Sequence, residues 1–138
     1  LLISGELEID DLPDAWDDMY ERYLGIRSPD RKQGVLQDIH WSMGAFGYFP
    51  TYTLGNLYSA QLLQAARNDL ESEGHTLEDD WKKGIFTPLL DWMRTNVHHQ
   101  GSILTPADLI EEATGDAPIP EPFVDYLKDK IGTIYGLA

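Results

Sequence analysis

A single segment of the sequence collects the side chains best suited to chemistry. Residues 34–56, here called the aromatic segment, read GVLQDIHWSMGAFGYFPTYTLGN and include four glycines, five aromatic residues and only one charged residue, Asp38. His40, Tyr48 and Tyr52 are the candidate donors, because an imidazole or a phenol in a water-poor pocket hydrogen-bonds well to developing negative charge. The same three residues would equally suit a buried polar cluster that ties one loop to the core.

The other histidines and the acidic clusters favour simpler interpretations. Adjacent helical side chains point about 100° apart, so His98 and His99 cannot both bind one ion from a single helix face. They fit a solvated helix end, and His75 lies in an acidic surface turn. None of the acidic clusters has the spacing of an EF-hand calcium loop, and all fit solvated helix starts or polar faces. They comprise residues 8–11, 17–18, 78–80 and 111–112.

The chain is strongly acidic and lacks cysteine. Its 138 residues suit one domain, and 24 Asp and Glu against 10 Lys and Arg give a formal net charge of −14. This charge argues against nucleic acids and anionic membranes as partners. The absence of cysteine excludes disulfides, thiolate metal sites and cysteine nucleophiles, and is compatible with the cytoplasm. No apolar run is long enough to span a bilayer, and no signal peptide is recognisable.

Helical periodicity predicts an all-α architecture, a helical bundle without a convincing β-strand pair. The first helix should run from Leu12 to Leu24, with Asp11 as its N-cap, Pro13 in its first turn and Gly25 at its end. Its apolar residues recur at helical spacing, which predicts one buried face. That face comprises Trp16, Met19, Tyr20, Tyr23 and Leu24.

The aromatic segment should connect this helix to a second one. Its glycines and Pro50 oppose an uninterrupted helix, so we expect a short helix or strand around residues 35–41 and a loop through Pro50. A helix should follow from Thr51 or Tyr52 to about Leu70. It is apolar over more than one stripe, which is typical of a central helix.

The C-terminal half predicts three more helical stretches. Thr76 and Asp79 resemble a capping box before a helix from Leu77, and Pro88 should kink or break that helix before it ends at Gly101. Its expected apolar face comprises Trp81, Ile85, Phe86, Leu89, Leu90, Met93 and Val97. A short helix should run from Thr105-Pro106 to Ala113, and the last should begin near Glu121. The last helix has an apolar stripe comprising Val124, Leu127, Ile131, Ile134 and Tyr135.

The start of the aromatic segment resembles a family motif. GVLQDIHW matches the GxxQDxHW motif of the carboxypeptidase Taq family of zinc metallocarboxypeptidases, and Gly34, Gln37, Asp38, His40 and Trp41 fill every fixed position. The continuation FGYFPTYTLGN is also similar to that family, and so is the opening of the chain through DLPDAW. The resemblance implies the C-terminal portion of a larger, mostly helical, zincin-type metallopeptidase fold.

The resemblance also implies an activity and a metal. Enzymes of this family are homodimers that remove C-terminal amino acids from peptides one at a time. They hold zinc with the two histidines of HExxH and a glutamate of HESQ, and the HExxH glutamate activates the zinc-bound water. Neither motif occurs in this chain, nor does IRxxAD, and in the family all three precede GxxQDxHW. We therefore expect zinc in the full-length enzyme, no zinc ligand among these residues, and no activity of the chain alone.

Residue roles follow from a second similarity. In the related thimet-type peptidases, a histidine is followed twelve residues later by a tyrosine that hydrogen-bonds the tetrahedral intermediate, and His40 and Tyr52 have this spacing. By analogy, Tyr52 would donate its hydroxyl to the oxyanion. His40 would contact either the substrate backbone or the same oxyanion, and Tyr48 would contact the C-terminal residue of the substrate.

The other motif residues would line the substrate site and brace its loop. Asp38 is expected to orient His40, Trp41 to pack underneath, and Gln37 to support the loop. The aromatic segment would then form one wall of a deep cleft beside zinc, where donors act best because water is scarce.

The first residue is Leu rather than Met, which favours a C-terminal fragment of a larger enzyme. Two other interpretations of the whole chain remain at this level. The missing zinc ligands would also suit a noncatalytic helical module for binding or dimerisation. An acidic mimic of nucleic acid depends on charge alone.

Overall fold

The structure is a computed structural model that describes residues 1–137. These residues form six α-helices and four short 3-10 turns without a strand, which confirms the all-α prediction. No helix in this range is long and apolar enough to cross a bilayer. The chain divides into two compact units, one of residues 1–48 and one from Phe49 onward, which are described separately. The expected single domain over residues 1–138 stays a prediction.

In the first unit, helix α1 spans Leu12–Leu24, with Pro13 in its first turn and Gly25 at its end, as predicted. The predicted capping bond from Asp11 is wrong. A 3-10 turn, Ile9–Asp11, runs directly into α1, so Asp11 already has helical backbone angles and its side chain makes no cap hydrogen bond. The start of α1 is therefore fixed by the turn and the proline.

The predicted buried face of α1 is largely exposed. Met19, Tyr20, Tyr23 and Leu24 are all exposed, and no residue of α1 is fully buried. Trp16 stacks on Tyr20 with a centroid distance of 3.9 Å. Within its unit α1 packs mainly against two three-residue 3-10 turns, which are too short to cover a helix of 13 residues.

Five helices make up the second unit, and α2 is central among them because it contacts each of the other four. This confirms the position predicted for the long apolar helix, which begins at Pro50 and extends two residues beyond Leu70. The helices are α2 (Pro50–Ser72), α3 (Leu77–Lys82), α4 (Thr87–Asn96), α5 (Pro106–Thr114) and α6 (Glu121–Tyr135).

The core of the second unit lies along the C-terminal half of α2. Its buried members are Ala66, Leu70, Leu77, Trp92 and Ala113. Leu62, Leu63, Trp81, Leu89, Met93 and Val97 are among the partly buried side chains that pack against it.

The predicted break near Pro88 is confirmed, since α3 ends at Lys82 and α4 begins at Thr87. The single apolar face predicted across the break is only partly right. Ile85, Phe86 and Leu90 are exposed, whereas Trp92 is buried. Trp81, Leu89, Met93 and Val97 of the predicted face do pack against the core, so the face is kept in part on both sides of the break.

Two further expectations at helix ends need correction. The side chain of Thr76 makes no cap hydrogen bond. Asp79, its expected capping partner, instead pairs with Lys82. On α6 the predicted apolar stripe is largely exposed, and Gly132 is the buried residue of that helix. Helix α6 packs against α2 within the second unit.

Candidate functional site

The aromatic segment begins where the chain passes very close to α1. A Cβ atom on Gly34 would lie 2.9 Å from Ser28 Oγ and 3.3 Å from Asp17 Oδ1, which is tighter than ordinary van der Waals contact. Gly34 is buried, as is Val35 beside it. The first glycine of the motif thus has a packing role that brings the following residues against α1.

Replacing Gly34 with alanine should destabilise the protein by about 1–3 kcal/mol, because the added methyl group overpacks this contact. Thermal unfolding followed by circular dichroism would measure the loss. Gly55 provides a matched control, since it lies inside α2 with nothing within 4 Å of a built Cβ. Gly55→Ala should be neutral or stabilising by up to about 1 kcal/mol through helix propensity. Equal melting temperatures for the two variants would contradict the packing role of Gly34.

Hydrogen bonds between side chains and the backbone hold the turn before the motif. The Gln33 backbone N–H donates to Asp30 Oδ1 over 2.9 Å, and this bond lowers the pKa of the Asp30 carboxyl. Gln37 Nε2 donates to the Lys32 carbonyl oxygen. Gln37 therefore braces its own loop, while its predicted contact with substrate stays a prediction.

Asp38 contacts His40 twice through the same oxygen. Asp38 Oδ1 accepts a hydrogen bond from the His40 backbone N–H at 2.6 Å and lies 3.2 Å from His40 Nδ1. The side chains are 17% and 25% exposed, so the pair is partly shielded from water. This geometry is the one that the expected orienting role of Asp38 would need.

A tight reversal of the chain brings Tyr48 onto His40. The turn is closed by a hydrogen bond from the Ala45 N–H to the His40 carbonyl oxygen, at 2.9 Å. Gly44 and Gly47 both have φ of 74°, in the left-handed region that favours glycine. The imidazole and the phenol then stack with centroids 5.3 Å apart and planes inclined by 16°. Two candidate residues are thereby brought together.

Trp41 takes part in the same loop by a different contact from the one expected. Its ring stacks on Phe46 with centroids 5.9 Å apart and planes inclined by 12°. Trp41 is half-buried and Phe46 is exposed. The two rings pair across the reversal, so Trp41 stabilises the loop by closing it.

Tyr52 lies in the first turn of α2, in the second unit. Its ring is 6.0 Å from that of Phe49 and tilted by 41°. Tyr52 is 57% exposed and Tyr48 is 46% exposed. The described residues alone therefore do not enclose the two phenols in the water-poor surroundings expected from the sequence.

The other histidines lie where the sequence suggested. His98 and His99 are exposed in a 3-10 turn after α4. His75 is half-buried, with Nδ1 3.0 Å from Asp80 Oδ2, and lines an open groove between the end of α2 and α4. Trp92, on the floor of this groove, donates its indole N–H to Asp69 over 2.8 Å.

The most connected buried polar residue was not recognised from the sequence. Gln61 is 4% exposed, and its Nε2 lies within 3.1 Å of Thr114 Oγ1 and of the carbonyl oxygens of Asp116 and Ala117. Its Oε1 accepts from the Ile119 N–H over 3.1 Å. Gln61 thus attaches the loop between α5 and α6 to α2.

Comparison with known proteins identifies the family. The family model described as carboxypeptidase Taq (M32) metallopeptidase matches residues 1–131. The chain belongs to the carboxypeptidase Taq family. The family membership suggested by the motif in the aromatic segment is thus confirmed, and the match covers nearly the whole sequence.

Individual M32 relatives are similar over a limited part of their length. The chain is 49% identical over 135 residues to thermostable carboxypeptidase 1 of Thermus thermophilus, covering 98% of this chain and 26% of that protein. Carboxypeptidase 1 of Bacillus subtilis is 40% identical over 134 residues, covering 97% of this chain and 26% of the relative. The M32 carboxypeptidase of Deinococcus radiodurans matches with a TM-score of 0.86 at 43% identity, over 98% of this chain and 27% of that structure. The chain therefore spans about a quarter of the length of these relatives.

The described residues do not fit the zinc that M32 enzymes contain. No three His, Asp or Glu side chains converge on a common point anywhere in residues 1–137. A catalytic zinc ion generally needs three protein ligands, so no step at the metal is assigned to this part of the chain. The candidate residues of the aromatic segment are suited to binding and hydrogen bonding instead.

Proposed function

We propose that this chain is the substrate-side part of a zinc metallocarboxypeptidase that releases C-terminal amino acids from peptides. The family match over residues 1–131 is the observation that carries this proposal. The contact between Asp38 and His40, with Tyr48 stacked on the imidazole, supports a role of the aromatic segment in binding peptide. The full-length enzyme is proposed to be a cytoplasmic homodimer.

Tyr52 is the proposed donor to the oxyanion of the tetrahedral intermediate. A phenol is neutral at physiological pH and has one O–H to donate, so it can stabilise charge that develops on the carbonyl oxygen without taking up a proton. Tyr48 is proposed to contact the C-terminal residue of the substrate, where its ring offers an apolar surface. Gln37 and Trp41 support the loop that carries His40 and Tyr48.

Zinc content and carboxypeptidase activity test this assignment. A full-length protein that contains this sequence should hold about one zinc ion per chain and release the C-terminal residue of an N-blocked dipeptide. The 138-residue chain alone should do neither. Elemental analysis with intact mass, followed by amino-acid release, gives both readouts. A zinc-loaded full-length protein without activity would contradict the function, and zinc-dependent activity of the chain alone would contradict the substrate-side assignment.

A noncatalytic module for binding or dimerisation is the second proposal. The exposed apolar residues Ile134 and Tyr135 near the end of α6 support it, because such residues often mark an interaction surface. Full-length protein that forms dimers but contains no zinc would favour this alternative.

A further inference from the structure

Helix α6 has an apolar stripe that the described residues leave largely uncovered. Four aliphatic side chains follow one another at intervals of three, four and three residues, which places them on one face of the helix. Three of them are exposed and one, Leu127, is half-buried. Helices pack against each other through such rows of side chains. The stripe, here called the α6 seam, comprises Val124, Leu127, Ile131 and Ile134.

Lysines border the α6 seam on both sides. At 100° per residue, Lys128 and Lys130 lie about 80° to either side of its midline. Asp125 and Asp129 lie on the opposite half of the helix. Lys128 Nζ is 3.3 Å from Asp125 Oδ1, but these side chains are 72% and 71% exposed, so the pair contributes little. Lys130 donates to the neutral hydroxyl of Tyr126 over 2.9 Å, and no described carboxylate pairs with it. The seam thus has positive flanks in a chain of net charge −14.

A second copy of α6 does not complement these flanks. The other residues that border the seam are Phe123 and Tyr135, so none of the bordering positions holds a carboxylate. Antiparallel pairing of two copies would bring lysine near lysine, and parallel pairing would place each lysine beside an aromatic ring. The α6 seam therefore fits a helix of different sequence that has acidic residues at its own bordering positions.

We propose that the α6 seam packs against an amphipathic helix of the full-length enzyme that lies outside residues 1–138 and carries aspartate or glutamate beside its apolar stripe. The chain spans about a quarter of the length of its relatives, so most of the fold that could cover the seam lies outside it. The acidic helix neutralises Lys128 and Lys130 while its apolar stripe buries the aliphatic row. The inference rests on the proposed function, because it requires the full-length protein.

Zero-length cross-linking tests the acidic partner without any need for activity. A carbodiimide joins an ammonium group to a carboxylate only where the two are in contact. In the full-length enzyme, peptide mass spectrometry should find Lys128 or Lys130 joined to an aspartate or glutamate outside residues 1–138, in a product of single-chain mass. A product of twice that mass, joined through the same lysines, would identify a second copy as the occupant and overturn the proposal.

Hydroxyl-radical labelling of the same protein tests whether the seam is covered. Tyr135 borders the seam and is 73% exposed in this chain, whereas Tyr126 is 49% exposed and lies away from the seam. Tyr135 should lose most of its reactivity in the full-length enzyme, and Tyr126 should keep its own. Equal labelling would show that the seam is uncovered and overturn the proposal. Protection of Tyr135 without the cross-link would overturn the acidic character of the partner.

Charge reversal provides a matched pair of variants. Lys130→Glu in the full-length enzyme should lower the melting temperature by about 2–4 °C, because it places a carboxylate against carboxylates. Lys83→Glu makes the same change at an exposed lysine after α3 and should shift it by no more than about 1 °C. Equal shifts would indicate a general effect of charge and overturn the acidic partner. A zinc-loaded enzyme without activity would disprove the proposed function but leave the cross-link result standing.

Discussion

Tyr52→Phe in the full-length enzyme should lower kcat by about 30- to 1000-fold, equivalent to roughly 2–4 kcal/mol of lost transition-state stabilisation. The substitution removes only the hydroxyl oxygen, so the ring contact with Phe49 and the start of α2 should persist. KM and zinc content should change little, because the oxyanion exists only during the reaction. Steady-state kinetics on an N-blocked dipeptide, with zinc analysis of the same samples, would measure the effect.

Tyr58→Phe is the matched control for this experiment. Tyr58 lies in the same helix as Tyr52, six residues further along, and points to a substantially different direction around the helix axis. Tyr58→Phe removes the same hydroxyl oxygen, and its kcat should stay within about twofold of the wild-type value. Unchanged kcat in Tyr52→Phe would refute its role as oxyanion donor, and equal losses in both variants would indicate a general effect on α2.

Gln61→Leu should destabilise the second unit by about 2–4 kcal/mol. Leucine has a similar size, but it leaves the carbonyl oxygen of Ala117 and the N–H of Ile119 without their buried partner. The carbonyl oxygen of Asp116 loses one of its two donors and keeps Thr114 Oγ1. Amide hydrogen exchange at Ile119 should therefore become faster, and the urea midpoint should fall. Both measurements apply to the full-length protein.

Gln64→Leu tests whether this effect depends on burial. Gln64 lies one helical turn after Gln61 on α2, but it is exposed. The same chemical change there should alter stability by less than about 0.5 kcal/mol. If exchange at Ile119 stayed protected in Gln61→Leu, the attachment of the loop would depend on other contacts.

The sequence predicted the helices well because their ends have strong local signals. Pro13, Pro88 and Pro106 each lie in a first helical turn, and Thr105 caps α5 by accepting from the Asp108 N–H at 3.3 Å. These signals need no knowledge of tertiary packing. Together with the apolar periodicity they placed the six helices of residues 1–137 and the break before α4, although α4 ends at Asn96 and not at Gly101 as predicted.

Burial was harder to predict because it depends on what packs against each helix. Trp92 is buried and Leu90 is exposed, although Leu90 and not Trp92 belongs to the apolar face predicted from the sequence. The burial of Gln61 was also unpredictable from the sequence. No hydropathy pattern marks a glutamine whose partners are backbone atoms more than 50 residues away. Tertiary contact decided both cases.

The aromatic segment shows the same division. The predicted contact between Asp38 and His40 spans two residues, so local chain geometry could suggest it. The stacking of Tyr48 on His40 depends on two left-handed glycines, and ring pairing across such a reversal has no periodic signature. The pairing of Trp41 with Phe46 was missed for the same reason.

Helix α2 joins the core of the second unit to the residue proposed to touch the oxyanion. Ala66, which is completely buried, lies about 21 Å along the helix axis from Tyr52. A small rotation of the α2 axis about Ala66 becomes a large displacement at this distance. A tilt of only about 3° would move the Tyr52 phenol by about 1 Å, a displacement large enough to impair catalysis. The position of the Tyr52 hydroxyl would then depend on how the Ala66 methyl group packs four helical turns away. A substitution at Ala66 could slow turnover without touching substrate.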